Sequence, residues 1–240
     1  MRIGAENMSR SADFGRASEQ ARATLQRLYD LLSARDGRRP PSDEFFPVNL
    51  EAIAETVLGW KVKKVPFIFE DTSGKFDPKK REIVLPMDVD SDRRVRFTLA
   101  HEIGHIVLHS ADSTLCGLRV PDLRSVRLMG DGYREPDKRV EDEANSFATE
   151  LLMPAKAVRA QFTNRFGKNR VWCGSAAVRE ALNNPSGRRR LAQTGAPTPG
   201  FAAEALADYV SPTGLPPLTT YFGVSRQSLS IRLLELHLVY

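Results

Sequence analysis

Cysteine is scarce in this sequence, and its scarcity excludes two classes of protein. Only Cys116 and Cys173 occur in 240 residues, and neither belongs to a CxxC pair. A disulfide framework needs a set of closely spaced cysteines, and a cysteine-based zinc site needs paired thiolates. We therefore expect reduced thiols, as in a cytoplasmic protein.

Long hydrophobic runs are also missing. No apolar segment approaches the roughly 20 residues that span a bilayer, and the N-terminus lacks the basic and apolar regions of a secretory signal peptide. The composition is otherwise that of a globular protein, with 41% hydrophobic and 27% charged residues. These features predict a soluble cytoplasmic protein with no membrane partner, and they leave the oligomeric state open.

Neither sign of charge dominates the chain. Lys and Arg number 35 against 30 Asp and Glu, which gives a net charge of +5. This excess permits attraction to nucleic acid without establishing it. Part of it lies in the run Arg188–Arg190, which we interpret as a solvated loop.

Periodicity divides the chain into four predicted parts. Apolar residues at helical spacing between Ala17 and Ala34 predict a helix that follows a polar tail of residues 1–13. From Asn164 to Gly200, Gly, Pro, Asn and Arg are frequent. The predicted parts are an N-terminal tail and helix at 1–44, a core at 45–163, an insertion or linker at 164–200 and a C-terminal helical segment at 201–240.

The predicted core combines helices with a small sheet. The segment NLEAIAETVLGW, at residues 49–60, predicts a helix that ends at Gly59. WKVKKVPFIF and EIVLP predict two strands, and RFTLAHEIGHIVLH and DKRVEDEANSFATELLMP predict helices. The turn-rich segment 111–137 between those helices shows no periodicity. This order of elements predicts the α+β class.

Three of the four histidines lie in RFTLAHEIGHIVLH, at residues 96–109. His101 and His105 are four residues apart, so on a helix they share a face and can bind one ion. Glu102 follows His101 and can reach a water molecule on that ion. This is the HExxH pattern, in which the histidines bind zinc and the glutamate is the general base. The alternative is an amphipathic helix whose polar residues are satisfied by hydrogen bonds alone.

A catalytic zinc site needs a third protein ligand. His109 lies one turn further along, but the longer HExxHxxGxxH pattern is absent. The downstream helix offers Glu141 as a ligand, with Asn145 on the same face to hydrogen-bond a ligand histidine. Glu143 and Glu150 fall on other faces of that helix, and spacing alone excludes neither.

Together these motifs resemble the ImmA/IrrE family of zinc-dependent metallopeptidases. The family's signature is a helical HExxH followed by an ExxANxFAxxLLMP helix, and this chain has HEIGH followed by EDEANSFATELLMP. The resemblance covers residues 45–163 well and the C-terminal stretch moderately. It implies a thermolysin-like minimal zincin core of the α+β class, followed by a C-terminal helical segment. It also implies one zinc ion per chain, bound by His101, His105 and Glu141, with manganese as the possible metal in the cell.

The resemblance further implies hydrolysis of a peptide bond, with Glu102 as general base. The implied substrate is a helix-turn-helix transcriptional repressor, whose cleavage relieves repression in a stress or mobile-element response. The alternative is a regulatory protein that binds metal and DNA, or metal and a repressor, without proteolysis. The intact HExxH favours the enzyme, because a structural zinc normally has four protein ligands and does not need Glu102.

The C-terminal sequence LPPLTTYFGVSRQSLSIRLLELHLVY predicts a short helix, a turn at 222–224 and a second helix capped by Ser225. It resembles a helix-turn-helix, in which the start of the second helix contacts bases. The residues at that start are Arg226, Gln227, Ser228 and Ser230. We favour a helical subdomain that does not contact DNA, because similar segments recur beside the peptidase in the family.

Overall fold

The computed structural model describes residues 2–36, 46–66, 74–87, 92–109, 138–211 and 214–240. The chain forms two compact units, Met1–Leu151 and Leu152–Tyr240. The predicted core extends to residue 163 and therefore reaches into the second unit. Within the described ranges, no helix has both the length and the apolar character needed to cross a bilayer. The turn-rich segment 111–137 lies outside the described residues.

Helices and a small sheet make up the described part of the first unit. Its helices are α1 (Arg2–Asp36), α2 (Leu50–Ala52) with a π-helical continuation (Ile53–Val57), α3 (Asp92–His109) and α4 (Lys138–Leu152), and its strands are β1 (Lys61–Val65), β2 (Lys75–Asp77) and β3 (Glu82–Pro86). Gly59 follows the π-helical turn with a φ of +70°, as the predicted helix end requires. This combination confirms the predicted α+β fold.

Helix α1 is longer than the sequence predicts. The prediction of a polar tail at residues 1–13 is wrong, because the helix already begins at Arg2. Apolar periodicity reports burial, and it is visible only where Ala21, Leu25 and Leu28 are buried. The preceding residues include Ala, Arg, Glu and Met, which favour a helix by propensity without any apolar stripe.

The sheet has the order β1-β3-β2, with β1 parallel and β2 antiparallel to β3. Alternation along β3 buries Ile83 and Leu85, and Phe76 of β2 pairs with Ile83 and is also buried. Strand β3 confirms the strand predicted in EIVLP, and β1 confirms residues 61–65 of the strand predicted in WKVKKVPFIF. Residues 67–69 of that segment lie outside the described residues. The sequence did not predict β2, because three residues inside a turn-rich segment are too few for alternation to appear.

The described part of the second unit is helical. Its helices are α5 (Ala155–Phe166), α6 (Ala176–Ala181), α7 (Pro185–Thr194), α8 (Pro199–Ala207), α9 (Leu218–Phe222) and α10 (Arg226–Glu235). Helices α9 and α10 confirm the predicted C-terminal helix pair, with Gly223 in the left-handed conformation between them and Ser225 as the cap.

The predicted linker at 164–200 contains regular structure. The side chains of Ser175, Asn184 and Thr198 cap α6, α7 and α8 in turn. The polar and helix-breaking residues of this stretch therefore mark the ends of short helices, and its role as an insertion or linker stays a prediction. The arginine run lies on α7 and not in a loop. The division of the chain into these four parts stays a prediction.

Candidate metal centre

The HExxH residues lie in the buried half of α3. His101 is 3% exposed, Glu102 1% and His105 4%. Buried polar side chains cost free energy unless hydrogen bonds or a bound ion satisfy them. The surroundings of these three residues therefore decide between a metal site and an ordinary amphipathic helix.

Glu141, from the first turn of α4, faces both histidines. Its Oε2 lies 3.2 Å from His101 Nε2, and its Oε1 lies 3.4 Å from His105 Nε2. The two Nε2 atoms are 2.9 Å apart. Two imidazole nitrogens and a carboxylate thus converge, and this donor set is found in catalytic zinc sites that leave one position for water. No other group of three potential metal ligands lies as close together in the described part of the chain.

Asn145, one turn after Glu141, contacts the first histidine. His101 Nδ1 donates to Asn145 Oδ1 over 3.0 Å, which leaves the Nε2 lone pair directed at the cluster. The other glutamates that spacing left open lie elsewhere: Glu143 contacts His109, and Glu150 pairs with Arg22. The structure therefore brings together the predicted residues and keeps the alternative carboxylates apart.

Two buried carboxylate oxygens at this site, Glu102 Oε1 and Glu141 Oε1, have no hydrogen-bond partner among the described residues. A divalent cation and a water molecule would satisfy both, so the residues present fit a metal ion. Burial raises the pKa of Glu102 to about 7, with the charge of Glu141 adding to the effect and His101 opposing it. Burial also acts to raise the pKa of Glu141, but the favourable interactions of its carboxylate with the neighbouring His101 and His105 outweigh burial and lower this pKa to about 2.

Strand β2 lines the site, and the sequence did not reveal its contribution. The ring of Phe76 stacks on His105 with 6.3 Å between centroids and 24° between planes. At Gly74, the residue before β2, a Cβ would lie 2.6 Å from Thr98 Cγ2 and 3.3 Å from Glu102 Oε1. A single phenylalanine in a turn-rich segment has no periodic neighbours, so no sequence signal identifies it.

Gly104 lets α3 and α4 approach closely enough for the two helices to share the site. A Cβ at Gly104 would lie 3.1 Å from the Ala144 carbonyl oxygen and 3.2 Å from Phe147 Cδ1. Both distances are shorter than ordinary van der Waals contact. The absence of a side chain at residue 104 therefore allows the helix that carries the histidines to pack closely against the helix that carries Glu141.

Gly104→Ala should lower the thermal unfolding temperature. Overpacking costs about 1–3 kcal/mol, which outweighs the gain of up to about 1 kcal/mol from replacing a helical glycine. Circular dichroism during heating measures the effect. Gly15→Ala in α1, where a Cβ meets nothing within 4 Å, is the matched control and should raise the unfolding temperature. An equal rise for both variants would contradict the close helix contact.

Comparison with known proteins agrees with the predicted family. A family model described as the IrrE N-terminal-like domain, peptidase family M78, matches residues 56–183. The chain is 29% identical over 156 residues to the radiation response metalloprotease IrrE of Deinococcus radiodurans. The aligned region covers 64% of this chain and 41% of that protein. The chain is also 32% identical over 134 residues to the protein of the same name from Deinococcus deserti. Here the aligned region covers 56% of this chain and 44% of that protein.

The aligned parts thus span less than half the length of these curated relatives. The family match covers more than half of this chain and includes both helices that form the candidate site. Membership of a metallopeptidase family also accords with a group of two histidines and a glutamate that can hold a metal. The chain therefore belongs to peptidase family M78, the family of IrrE N-terminal-like domains.

Proposed function

We propose that this protein is a zinc-dependent endopeptidase with its active site on α3 and α4. The observation that carries the proposal is the convergence of three metal-binding side chains beside a buried carboxylate that has no hydrogen-bond partner among the described residues. The proposed ligands are His101, His105 and Glu141, and the proposed general base is Glu102. Membership of a metallopeptidase family supports this chemistry.

The residues of the site have three tasks in the proposed reaction, which are metal binding, proton transfer and orientation of a ligand. His101, His105 and Glu141 would hold the zinc ion, which would supply Lewis acidity toward water and the scissile carbonyl group. Glu102 takes the proton from the attacking water and delivers it to the leaving amine. Asn145 accepts the Nδ1 hydrogen of His101 and so keeps the Nε2 lone pair available for the metal.

The proposed substrate is a helix-turn-helix transcriptional repressor, cleaved in the cytoplasm to relieve repression during stress or mobile-element activation. The relatives from both Deinococcus species are named for a radiation response, which supports a role in stress. New protein N-termini can be compared between cells that produce the wild type and cells that produce Glu102→Gln. We expect at least one repressor to be cut only by the wild type. Cleavage of other proteins alone would contradict this choice of substrate.

A DNA-binding function without proteolysis is the second candidate, and the side chains of α10 do not favour it. Arg226 pairs with Asp208. The hydroxyls of Ser225 and Ser228 are hydrogen-bonded to each other, and Ser230 is buried and donates to the Gln227 carbonyl oxygen. Three of the four side chains predicted to face bases therefore have partners within this unit.

We expect no specific binding of the protein to duplex DNA. Fluorescence anisotropy at two salt concentrations tests this, because specific binding persists at a salt concentration that abolishes purely electrostatic contacts. The double variant Arg188→Glu, Arg189→Glu shows how much of any low-salt signal reflects the general basic charge. Sequence-selective binding that survives high salt and is lost in Gln227→Ala would support the DNA-binding candidate.

A further inference from the structure

The second ligand histidine contacts a network that the proposed reaction does not use. His105 Nδ1 lies 3.3 Å from His109 Nδ1, at the last residue of α3. His109 Nε2 lies 3.0 Å from Glu143 Oε2 on α4. The other oxygen of Glu143, Oε1, accepts a hydrogen bond from Arg139 Nε over 3.1 Å. We call His109, Glu143 and Arg139 the His109 network.

The chemistry of the side chains determines which atom donates and which accepts in each hydrogen bond of the His109 network. A guanidinium group only donates and a carboxylate only accepts, so His109 Nε2 must carry the hydrogen that Glu143 receives. A neutral His109 then has a bare Nδ1, which can only accept. His105 Nδ1 is consequently the donor, and the Nε2 of the same ring keeps its lone pair. That Nε2 is the atom that faces His101 and Glu141.

We propose that His109 is a positioning residue of the metal centre, which holds His105 in the tautomer that binds the ion. The inference rests on the proposed zinc site. Asn145 does the same directly for His101, so α4 supplies one ligand and also orients both ligand histidines. Phe76, stacked on the His105 ring, limits its rotation.

Burial indicates which members of the network matter most. The side chains of His109 and Glu143 are each 9% exposed, so water has little access to replace either partner. The Arg139 side chain is 57% exposed, and water can take over much of its role. We therefore expect large effects from changing His109 or Glu143 and a small effect from Arg139→Ala.

Zinc affinity, measured by competition with a chromophoric chelator, tests the role of His109. His109→Phe keeps a ring but removes the acceptor, and it should weaken zinc binding about 10–100-fold, the range for lost outer-shell partners of metal ligands. His109→Asn provides a carbonyl oxygen close to the position of Nδ1 and should restore most of the affinity. His237→Phe, at an exposed position in the second unit, is the control and should bind zinc like the wild type.

Glu143→Gln tests the direction of the network at almost constant volume. The carbonyl oxygen of the new amide would continue to accept from Arg139, so its NH₂ group would face His109 and favour the opposite tautomer. Zinc affinity should fall. Glu150→Gln is the matched control on the same helix, since Glu150 is equally buried but pairs with Arg22 instead of the histidines. Its zinc affinity should equal that of the wild type.

The outcomes separate this inference from the proposed function. Weaker binding by His109→Phe and Glu143→Gln, with recovery in His109→Asn, supports the positioning role. Wild-type affinity in His109→Phe overturns that role and leaves the metal centre intact, whereas a wild type that binds no zinc overturns both. Thermal unfolding of the metal-free variants shows which of them fold. If His109→Phe does not fold, equal affinities of Glu143→Gln and Glu150→Gln overturn the inference.

Discussion

Glu102→Gln should abolish peptide-bond hydrolysis and leave the metal bound. The substitution keeps the shape of the side chain, but an amide cannot take a proton from water near neutral pH. Losing a positioned general base lowers a rate by about 10²–10⁴-fold. Glu102 is not among the three proposed ligands, so zinc should stay at about one ion per chain. Cleavage is measured by the appearance of new N-termini, and zinc by elemental mass spectrometry.

Stability separates a chemical role of Glu102 from a structural one. A buried carboxylate oxygen that has no hydrogen-bond partner among the described residues destabilises the fold, and a neutral amide of the same size costs less. The metal-free Glu102→Gln protein should therefore unfold at the same temperature as the wild type or higher. Glu150→Gln removes a carboxylate that is paired with Arg22, and it should be less stable and still cleave. Cleavage at the wild-type rate by Glu102→Gln would remove this residue from the mechanism.

The two histidines of the candidate site could be predicted from the sequence, because they lie on one helix and regular helix geometry fixes how residues four apart are arranged. The spacing of His101 and His105 alone places them on one face, and the structure has them on one buried stretch of α3. The choice of Glu141 over Glu143 needs the rotation of α4 about its axis relative to α3. That rotation depends on contacts such as Gly104 against Ala144, which no spacing rule contains.

The parts that the sequence did not reveal depend on contacts between distant segments or on weak local signals. The sequence places His109 one turn beyond His105, but the contact of His109 with Glu143 appears only when α3 and α4 are packed together. Strand β2 owes its existence to pairing with β3, since its three residues carry no alternation of their own. The early turns of α1 form a helix without an apolar stripe. Periodicity detects burial, so it overlooks structure whose residues are too few or too polar to show a buried face.

Glu141→Ala should remove zinc from the protein. The change leaves two imidazoles, and a catalytic zinc ion is normally held by three protein ligands. Loss of a direct ligand should weaken zinc binding by more than about 100-fold, which is the upper range for outer-shell partners. Glu150→Ala removes another buried carboxylate of α4 and should keep its zinc. The measurement is zinc per chain after removal of excess metal, with affinities from chelator competition.

The same titration distinguishes the metals and the ligands. Two imidazole nitrogens and one carboxylate bind zinc more tightly than manganese in the usual order of divalent-metal affinities. Added zinc should therefore displace bound manganese readily, and added manganese should not displace bound zinc. Equal zinc in the wild type and Glu141→Ala would mean that another group is the third ligand. A wild type that stays free of metal after zinc is added would favour the regulatory protein over the peptidase. About one zinc in the wild type and none in Glu141→Ala would establish Glu141 as the ligand that α4 contributes.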